Sequence, residues 1–202
     1  MSVITLDMLS QWMAEGYGYI ANFGSATTPV TFAGAYDADA PDLYIHVPAG
    51  TTIIPVSIRV LFEAVGTEST MEIIALASST GDLTATITGG TLLTAKNLRV
   101  DRAGGSLCTV SGGVDAAGIT DPNAGNFYEF WREMRPLTDT VATGENDRWP
   151  LLFEWSVFQD GPLVAIPGAA SIGSSLSVYA ASQAGTGFIT VGWVEIPTGR
   201  LK

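Results

Sequence analysis

Apolar and polar residues alternate along the segment 52–79, and this period predicts two consecutive β-strands. The first alternation runs over residues 56–64, and the second runs over residues 71–77 after a turn at 66–69. A period of two is typical of a strand that has one buried face. We therefore expect the rest of the chain to pack around these two strands.

The simplest pairing of these strands is one long β-hairpin. With an even number of loop residues, Phe62 faces Ile73 on the inner face, while Leu61 faces Ile74 on the outer face beside Leu76. The inner face of such a hairpin needs a second sheet over it. The outer apolar residues need a cover too, because soluble monomers usually avoid exposed apolar patches. We expect a neighbouring subunit, rather than the N-terminal helix, to supply this cover, since closed oligomers shield such faces.

Residues 5–14 predict a short amphipathic helix near the N-terminus. Thr5 suits the N-cap, and Trp12 lies on the apolar stripe. The helix either closes one end of the β-domain or reaches a neighbouring subunit. We divide the chain into a helical arm over residues 1–22 and one β-domain over residues 23–202. The candidate interface residues are then Trp12, Leu61, Ile74 and Leu76.

The remaining chain consists mainly of short strands separated by turns. Residues 91–101 and 106–111 predict a second hairpin that turns at 102–105, and residues 176–182 and 187–197 predict a final hairpin. The last strand is apolar on both faces and should be central. Further strands are predicted at 29–35, 42–47, 151–159 and 162–167.

One segment is ambiguous, and two others are long loops. Residues 126–135 fit both helical spacing and strong β-propensity, and we favour a strand because their surroundings are β. Residues 112–125 form a candidate contact loop, and residues 136–150 form a polar loop. Together the periods and turns predict an all-β jelly-roll sandwich of about eight to eleven strands with a short N-terminal helix.

Composition narrows the classes of partner. The chain has 202 residues, of which 47% are hydrophobic and 14% charged, enough for one domain with a large core. Its net charge of −11 argues against nucleic acid, whose phosphates must be neutralised by Lys and Arg, and against anionic membranes. No apolar run in the sequence is long enough to span a bilayer. We therefore predict no nucleic-acid partner and no membrane partner.

The cysteine content excludes two kinds of cross-link within the chain. Cys108 is the single cysteine, so neither an intrachain disulfide nor a thiolate zinc site is available. We expect Cys108 to be a small buried residue of a strand. The N-terminus lacks a basic region followed by an apolar run, so we expect a protein that is made and assembled in a cytoplasm.

Candidate catalytic chemistry depends first on His46, the single histidine. It shares a predicted strand face with Tyr44. No Gly-x-Ser-x-Gly elbow, phosphate-binding glycine loop or dinucleotide fingerprint accompanies it. We expect His46 to be structural, and we predict no catalytic residue and no cofactor.

Carboxylates offer two further hypotheses. Glu63 and Glu72 lie opposite each other in the predicted hairpin, and paired carboxylates are what glycoside hydrolases use. No aromatic residue lies near them on that face, so we expect two solvated side chains. Asp37, Asp39 and Asp42 could offer oxygen ligands to Ca²⁺, but the run lacks the glycine and distal glutamate of an EF-hand loop. We expect a solvated acidic turn and no metal.

The tryptophans could form a platform on which a sugar stacks. They are scattered among the predicted elements, so we expect core or interface anchors instead. These residues are Trp12, Trp131, Trp149, Trp155 and Trp193.

The C-terminal third resembles the closing strands of phage-encoded structural proteins of the jelly-roll type. The resemblance lies in PLVAIPGAAS at 162–171, SLSVYAAS at 175–182 and GTGFITVGWVEIP at 185–197. The segment NLRVDR at 97–102, followed by LCTVS at 107–111, is similar to an inner hairpin of the same proteins. The likeness covers about residues 41–197.

This resemblance implies a virion protein of the capsid accessory, decoration or fibre-head kind, often trimeric and without catalytic residues. We therefore predict a non-enzymatic virion protein on the capsid exterior, assembled in the host cytoplasm. Its expected partners are itself, as a trimer, and a major capsid protein or another virion protein. One alternative is a receptor- or glycan-binding tail-fibre head. The other is a jelly-roll glycoside hydrolase or lyase.

Overall fold

The structure is a computed structural model, and it describes most of the chain. The described residues are 5–65, 70–83, 89–102, 104–114, 119, 127–136, 151–168, 173–182 and 184–201. The predicted contact loop at 112–125 and polar loop at 136–150 lie largely outside these ranges.

The predicted N-terminal helix is confirmed. Helix α1 (Leu6–Trp12) begins at the N-cap Thr5, whose Oγ1 accepts a hydrogen bond from the N–H of Met8 at 3.3 Å. A π-helical turn over Met13–Tyr17 follows, in which Gly16 has φ 90°, a conformation that favours glycine. Among the described residues, no helix is long and apolar enough to cross a bilayer.

Thirteen strands are described, and they form two antiparallel sheets. They are β1 (Gly18–Phe23), β2 (Val30–Phe32), β3 (Leu43–Val47), β4 (Thr51–Val65), β5 (Thr70–Leu83), β6 (Gly89–Leu93), β7 (Lys96–Asn97), β8 (Thr109–Val114), β9 (Phe127–Pro136), β10 (Leu151–Ser156), β11 (Ile166–Pro167), β12 (Gly173–Ala180) and β13 (Gly185–Pro197). A 3₁₀ turn over Thr198–Leu201 follows β13. The all-β sandwich with a short N-terminal helix is confirmed, with thirteen described strands where about eight to eleven were predicted.

The strand orders define a seven-stranded and a six-stranded sheet. The seven-stranded sheet has the order β10-β4-β13-β1-β7, with β11 on β4 and β2 on β13. The six-stranded sheet has the order β6-β8-β3-β12-β5-β9. Buried side chains from both sheets and from α1 form one large hydrophobic core.

The predicted long hairpin is wrong in its pairing, although both of its strands exist. β4 pairs with β13 and β10 in the seven-stranded sheet, whereas β5 pairs with β12 and β9 in the six-stranded sheet. Alternation tells which side chains face the core. It does not tell whether two strands share a sheet or lie in sheets that face each other across that core.

The predicted final hairpin is wrong for the same reason. β12 belongs to the six-stranded sheet and β13 to the seven-stranded sheet. β4 pairs with β13 in one sheet, and β5 pairs with β12 in the other. The consecutive strands β4–β5 and β12–β13 therefore pass between the two sheets side by side. This arrangement is the wrapped antiparallel topology of a jelly roll. The central position predicted for the last strand is confirmed, because β13 lies between β4 and β1.

The second predicted hairpin is wrong in extent. β6 pairs with β8, and Leu93 lies opposite Val110. Between them the chain crosses to the seven-stranded sheet, where β7 pairs with β1. The ambiguous segment at 126–135 is a strand, as favoured, since β9 lies at the edge of the described six-stranded sheet. Phe130 of β9 contacts Trp155 of β10 edge-on, at 5.1 Å between ring centroids.

The predicted limit of the helical arm at residue 22 falls within β1, which pairs with β13 along its whole length. The division into an arm and a β-domain stays a prediction.

Candidate interaction surface

The four predicted interface residues do not form one patch. Trp12 is buried in the main core. Ile74 and Leu76 are buried against Tyr179 on the outer side of the six-stranded sheet. Leu61 is half-buried in the other sheet. The pairing that joined Leu61 to Ile74 is therefore corrected, while a role of these residues in contacting another subunit stays a prediction.

Leu61 has apolar neighbours of its own. On the outer side of the seven-stranded sheet it lies opposite Phe188 of β13 and Leu152 of β10, and both are half-buried. Gly187, next to Phe188, allows the two backbones to meet closely, because a Cβ there would lie 1.9 Å from the carbonyl oxygen of Leu61. These three apolar side chains lie side by side and partly shield one another from solvent.

The predicted pairing of Glu63 with Glu72 is wrong, and of the two side chains expected to be solvated, Glu72 is only 13% exposed. Glu63 is exposed near the end of β4, whereas Glu72 lies on β5 in the other sheet. Glu72 forms an ion pair with Arg132 of β9 and accepts a hydrogen bond from Ser182 Oγ at 3.3 Å. A retaining or inverting mechanism needs two carboxylates that flank one substrate, and this pair cannot supply them.

The acidic turn contains a structural carboxylate instead of a solvated one. Asp42 is buried, and its Oδ1 and Oδ2 accept hydrogen bonds from the N–H groups of Ala33 at 2.9 Å and Ala180 at 2.7 Å. Burial raises the pKa of Asp42 to about 6, although both N–H groups act to lower it. Among the residues the structure describes, no group of three or more His, Cys, Asp and Glu side chains could hold a metal ion.

His46 lies in a buried polar row of the six-stranded sheet. Thr109 of β8 and Ser175 of β12 lie opposite it on its two sides, and Ser78 of β5 lies opposite Ser175. His46 is only 8% exposed. Burial lowers the pKa of His46, which keeps the imidazole neutral near pH 7. This position agrees with a structural histidine.

Cys108 is buried, as expected, beside a second structural carboxylate. Burial raises the pKa of the Cys108 thiol, and the nearby charge of Glu195 raises it further. A thiol held in its neutral form is a poor nucleophile. Glu195 is itself buried in β13, where it accepts hydrogen bonds from Ser106 Oγ and from the N–H of Leu107 at 2.8 Å.

Exposed aliphatic side chains are concentrated in the loop between β7 and β8. Val100 is 100% exposed, Leu107 is 71% exposed and Leu98 is 43% exposed. We call residues 98–102 and 104–107 the aliphatic loop. Single exposed apolar residues are ordinary, but three within one short loop are a typical feature of a contact surface.

The first half of the aliphatic loop is fixed to the N-terminal segment. The N–H of Leu98 donates to the carbonyl oxygen of Gly18 at 2.9 Å, and Asn97 Nδ2 donates to that of Gly16 at 2.8 Å. Arg99 donates to the carbonyl oxygen of Ala14 at 3.2 Å, and Arg102 donates to that of Glu15. These cations stabilise the carboxyl end of the helical segment, where carbonyl groups lack partners.

The second half of the loop is fixed by Glu195, through the two hydrogen bonds to Ser106 and Leu107. Val100 and Leu107 are therefore displayed on a backbone that is held at both ends. A surface that is already ordered loses less conformational entropy on binding than a flexible one.

Sequence patterns did not identify this surface. Leu98, Val100 and Leu107 were assigned to the strands of the second hairpin, where alternate residues are buried. The available signal was the polar sequence around them, since Asp101, Arg102 and the Gly104-Gly105 pair are typical of a turn. The contacts that expose the aliphatic residues come from residues 14–18 and 195, far away in sequence.

No protein-family model and no curated protein matches this chain. A structure of the infectious bursal disease virus Gx strain is 14% identical over 91% of this chain and 43% of that chain, with a TM-score of 0.19. A VP2 subviral particle of the same virus is 14% identical over 91% of this chain and 42% of that chain, with a TM-score of 0.21. The chain spans less than half of these proteins, and similarity at this level carries no argument.

Proposed function

We propose that the protein is a non-enzymatic structural protein of a virion. It acts by binding copies of itself, as a trimer, and by binding a major capsid protein or another virion protein. Its site is the capsid exterior, and it is assembled in the host cytoplasm.

The observation that carries this proposal is the aliphatic loop. Three exposed aliphatic side chains stand on a backbone fixed by β1, β13 and the helical segment, which is the form expected of a surface that binds another protein. The same stretch, residues 97–102 and 107–111, carries part of the resemblance to phage jelly-roll proteins.

The chemically active side chains support a binding role over catalysis. His46 and Cys108 are buried, and burial favours the neutral form of each. Glu72 is engaged by Arg132. With Glu63 and Glu72 in different sheets, the hydrolase alternative has lost the pair that motivated it.

Electron microscopy of particles tests the proposal. Particles from the virus that encodes this chain should carry density on their outer surface that is missing from particles made without it. Purified protein added back should restore that density, and a Val100→Asp variant should restore less of it. Particles that contain no copy of the protein, by mass spectrometry and by microscopy, would refute the virion role.

A further inference from the structure

The basic residues of this acidic chain are unevenly paired. Arg59, Arg99, Arg132 and Arg135 each form an ion pair with a carboxylate. Lys96, Arg102 and Arg200 form none within the described ranges. In a protein with 20 acidic and 9 basic residues, cations without carboxylate partners are unexpected, because acidic side chains are in excess.

Two of these cations lie together at Tyr17, just before β1, and the third, Lys96, lies on the strand beside β1. The guanidinium carbons of Arg102 and Arg200 lie 5.4 Å and 4.8 Å from the centre of the Tyr17 ring. Lys96 of β7 lies opposite Ile20 of β1, three residues after Tyr17. The two guanidiniums are held by one aromatic ring and are exposed to solvent.

Two of the cations and Leu98 of the aliphatic loop contact the same segment, residues 15–18. Lys96 and Arg102 flank Leu98 and Val100 in sequence, and Arg102 and Leu98 are both fixed to residues 15–18. We call Lys96, Leu98, Val100, Arg102, Leu107 and Arg200 the basic–apolar surface. It combines exposed aliphatic groups with three cations that form no ion pair within the described ranges. Asp101 belongs to the same loop, and Arg99 and, to a smaller extent, Arg102 lower the pKa of its carboxyl.

We propose that the basic–apolar surface binds an acidic surface of a second copy of this chain. Charge complementarity supports this proposal, since three cations that form no ion pair among the described residues lie on or beside this loop, whereas the chain as a whole has a net charge of −11. Contact between two different surfaces of identical copies is heterologous, and such contacts generate a closed ring when the rotation between copies closes. The inference rests on the self-association in the proposed function and identifies the residues that produce it.

The experiment is light scattering coupled to size exclusion across a dilution series of the full chain. Val100→Asp and Arg200→Ala each remove one attractive feature and make the net charge more negative by one unit. Met134→Asp makes the same charge change and is the matched control. Met134 is 58% exposed on β9, which forms the edge of the six-stranded sheet away from β6 and β8. Circular dichroism checks that each variant folds.

We expect the wild type and Met134→Asp to be oligomeric. Val100→Asp and Arg200→Ala should each raise the dissociation constant about tenfold or more, the usual scale for an interface residue of moderate importance. An oligomer that withstands both changes would overturn the proposed surface while leaving self-association intact. If Leu61→Asp dissociates that oligomer instead, the interface lies on the outer face of the seven-stranded sheet.

A wild type that is monomeric at every concentration would overturn both this inference and self-association. The virion role would then depend on the particle microscopy alone, so the two failures are distinguishable.

Discussion

The outer faces of the two sheets differ, although the strands that form them follow the same alternation. On the seven-stranded sheet the outer face is partly open around the second half of β4, where an ion pair between Arg59 and Glu154 lies beside the apolar row of Leu61. Thr190 donates a hydrogen bond to Asn22 on the same face. On the six-stranded sheet the outer residues Tyr44 and Ile74 are buried. The outer cover is therefore local. It lies over the central strands of the six-stranded sheet, whereas its edge strands β6 and β9 are largely exposed. In the seven-stranded sheet, residues 51–56 of β4 and 191–196 of β13 are buried on both faces, and the outer face opens around Arg59.

Part of this second cover comes from the chain itself. Tyr36 contacts Tyr179 at 5.0 Å between ring centroids, and the Tyr179 hydroxyl donates to the carbonyl oxygen of Ala38 at 3.0 Å. Ile119 packs with Tyr44 and Val114. The outer face of the six-stranded sheet is thus used within the protein. Among the described residues, exposed apolar side chains remain on the aliphatic loop and on the edge strands β6 and β9.

The largest expected effect comes from truncating one outer residue of each sheet. Ile74→Ala should lower the free energy of unfolding by roughly 2–5 kcal/mol, because it leaves a cavity in a buried cluster. Leu61→Ala should cost about 1 kcal/mol or less, because half-buried Leu61 loses less apolar contact. Urea denaturation measures both. Equal losses would mean that the two outer faces are covered to the same degree.

The pH dependence of stability tests the burial of Asp42, a carboxylate that lies just before β3 of the six-stranded sheet. Its pKa rises from 3.8 to about 6 on folding, so its contribution to stability is fully present below pH about 4 and is lost as the pH rises through about 6. The loss should reach about 3 kcal/mol at neutral pH, since each unit corresponds to about 1.4 kcal/mol.

The matched variant is Asp42→Asn, which keeps the shape and cannot ionise. The difference in free energy of unfolding between wild type and variant should become less favourable to the wild type between pH about 4 and pH about 7. Two parallel pH profiles would show that Asp42 titrates in the folded protein as it does in the unfolded chain.

Sequence patterns predicted the faces of the strands better than their partners. The alternation around Phe62 and Ile73 correctly placed both in the core, since side-chain direction follows from the local backbone. It could not place β4 and β5 in separate sheets, because both arrangements bury the same residues. The outer face of β5 also gave a wrong prediction of one patch with Leu61, since Ile74 and Leu76 are covered by segments far away in sequence.

The candidate site was less predictable than the fold. The exposure of Val100 and Leu107 depends on hydrogen bonds to Glu195 and to the helical segment, and no local pattern encodes these. Asp42 was taken for a solvated residue because acidic turns usually are. Its burial follows from the N–H groups of Ala33 and Ala180, which come together only in the folded chain.

His46 should give a smaller pH effect of the opposite sign. Burial lowers its pKa in the folded protein, so its contribution to stability is present above its unfolded pKa of about 6.5 and is lost as the pH falls through the folded value. Replacement by glutamine, which stays neutral, should remove this acid sensitivity. Denaturation curves of wild type and His46→Gln should converge or cross as the pH falls. A constant difference between them would show that His46 is solvated in the folded state.

The smallest effect should come from the ion pair on the open face. Arg59 Nε lies 2.6 Å from Glu154 Oε1, and both side chains are more than half exposed. Water screens such a pair, and ordering two long side chains costs entropy, so a double-mutant cycle with Arg59→Ala and Glu154→Ala should give a coupling of about 0.2–1 kcal/mol. The coupling should fall in high salt. The cycle formed by Glu72→Ala and Arg132→Ala is the comparison, because the Glu72 side chain is only 13% exposed and its pair is less screened. A coupling at Arg59–Glu154 as large as that at Glu72–Arg132 would mean that something covers the seven-stranded sheet in solution. That result would favour an interface at Leu61 over one at the aliphatic loop.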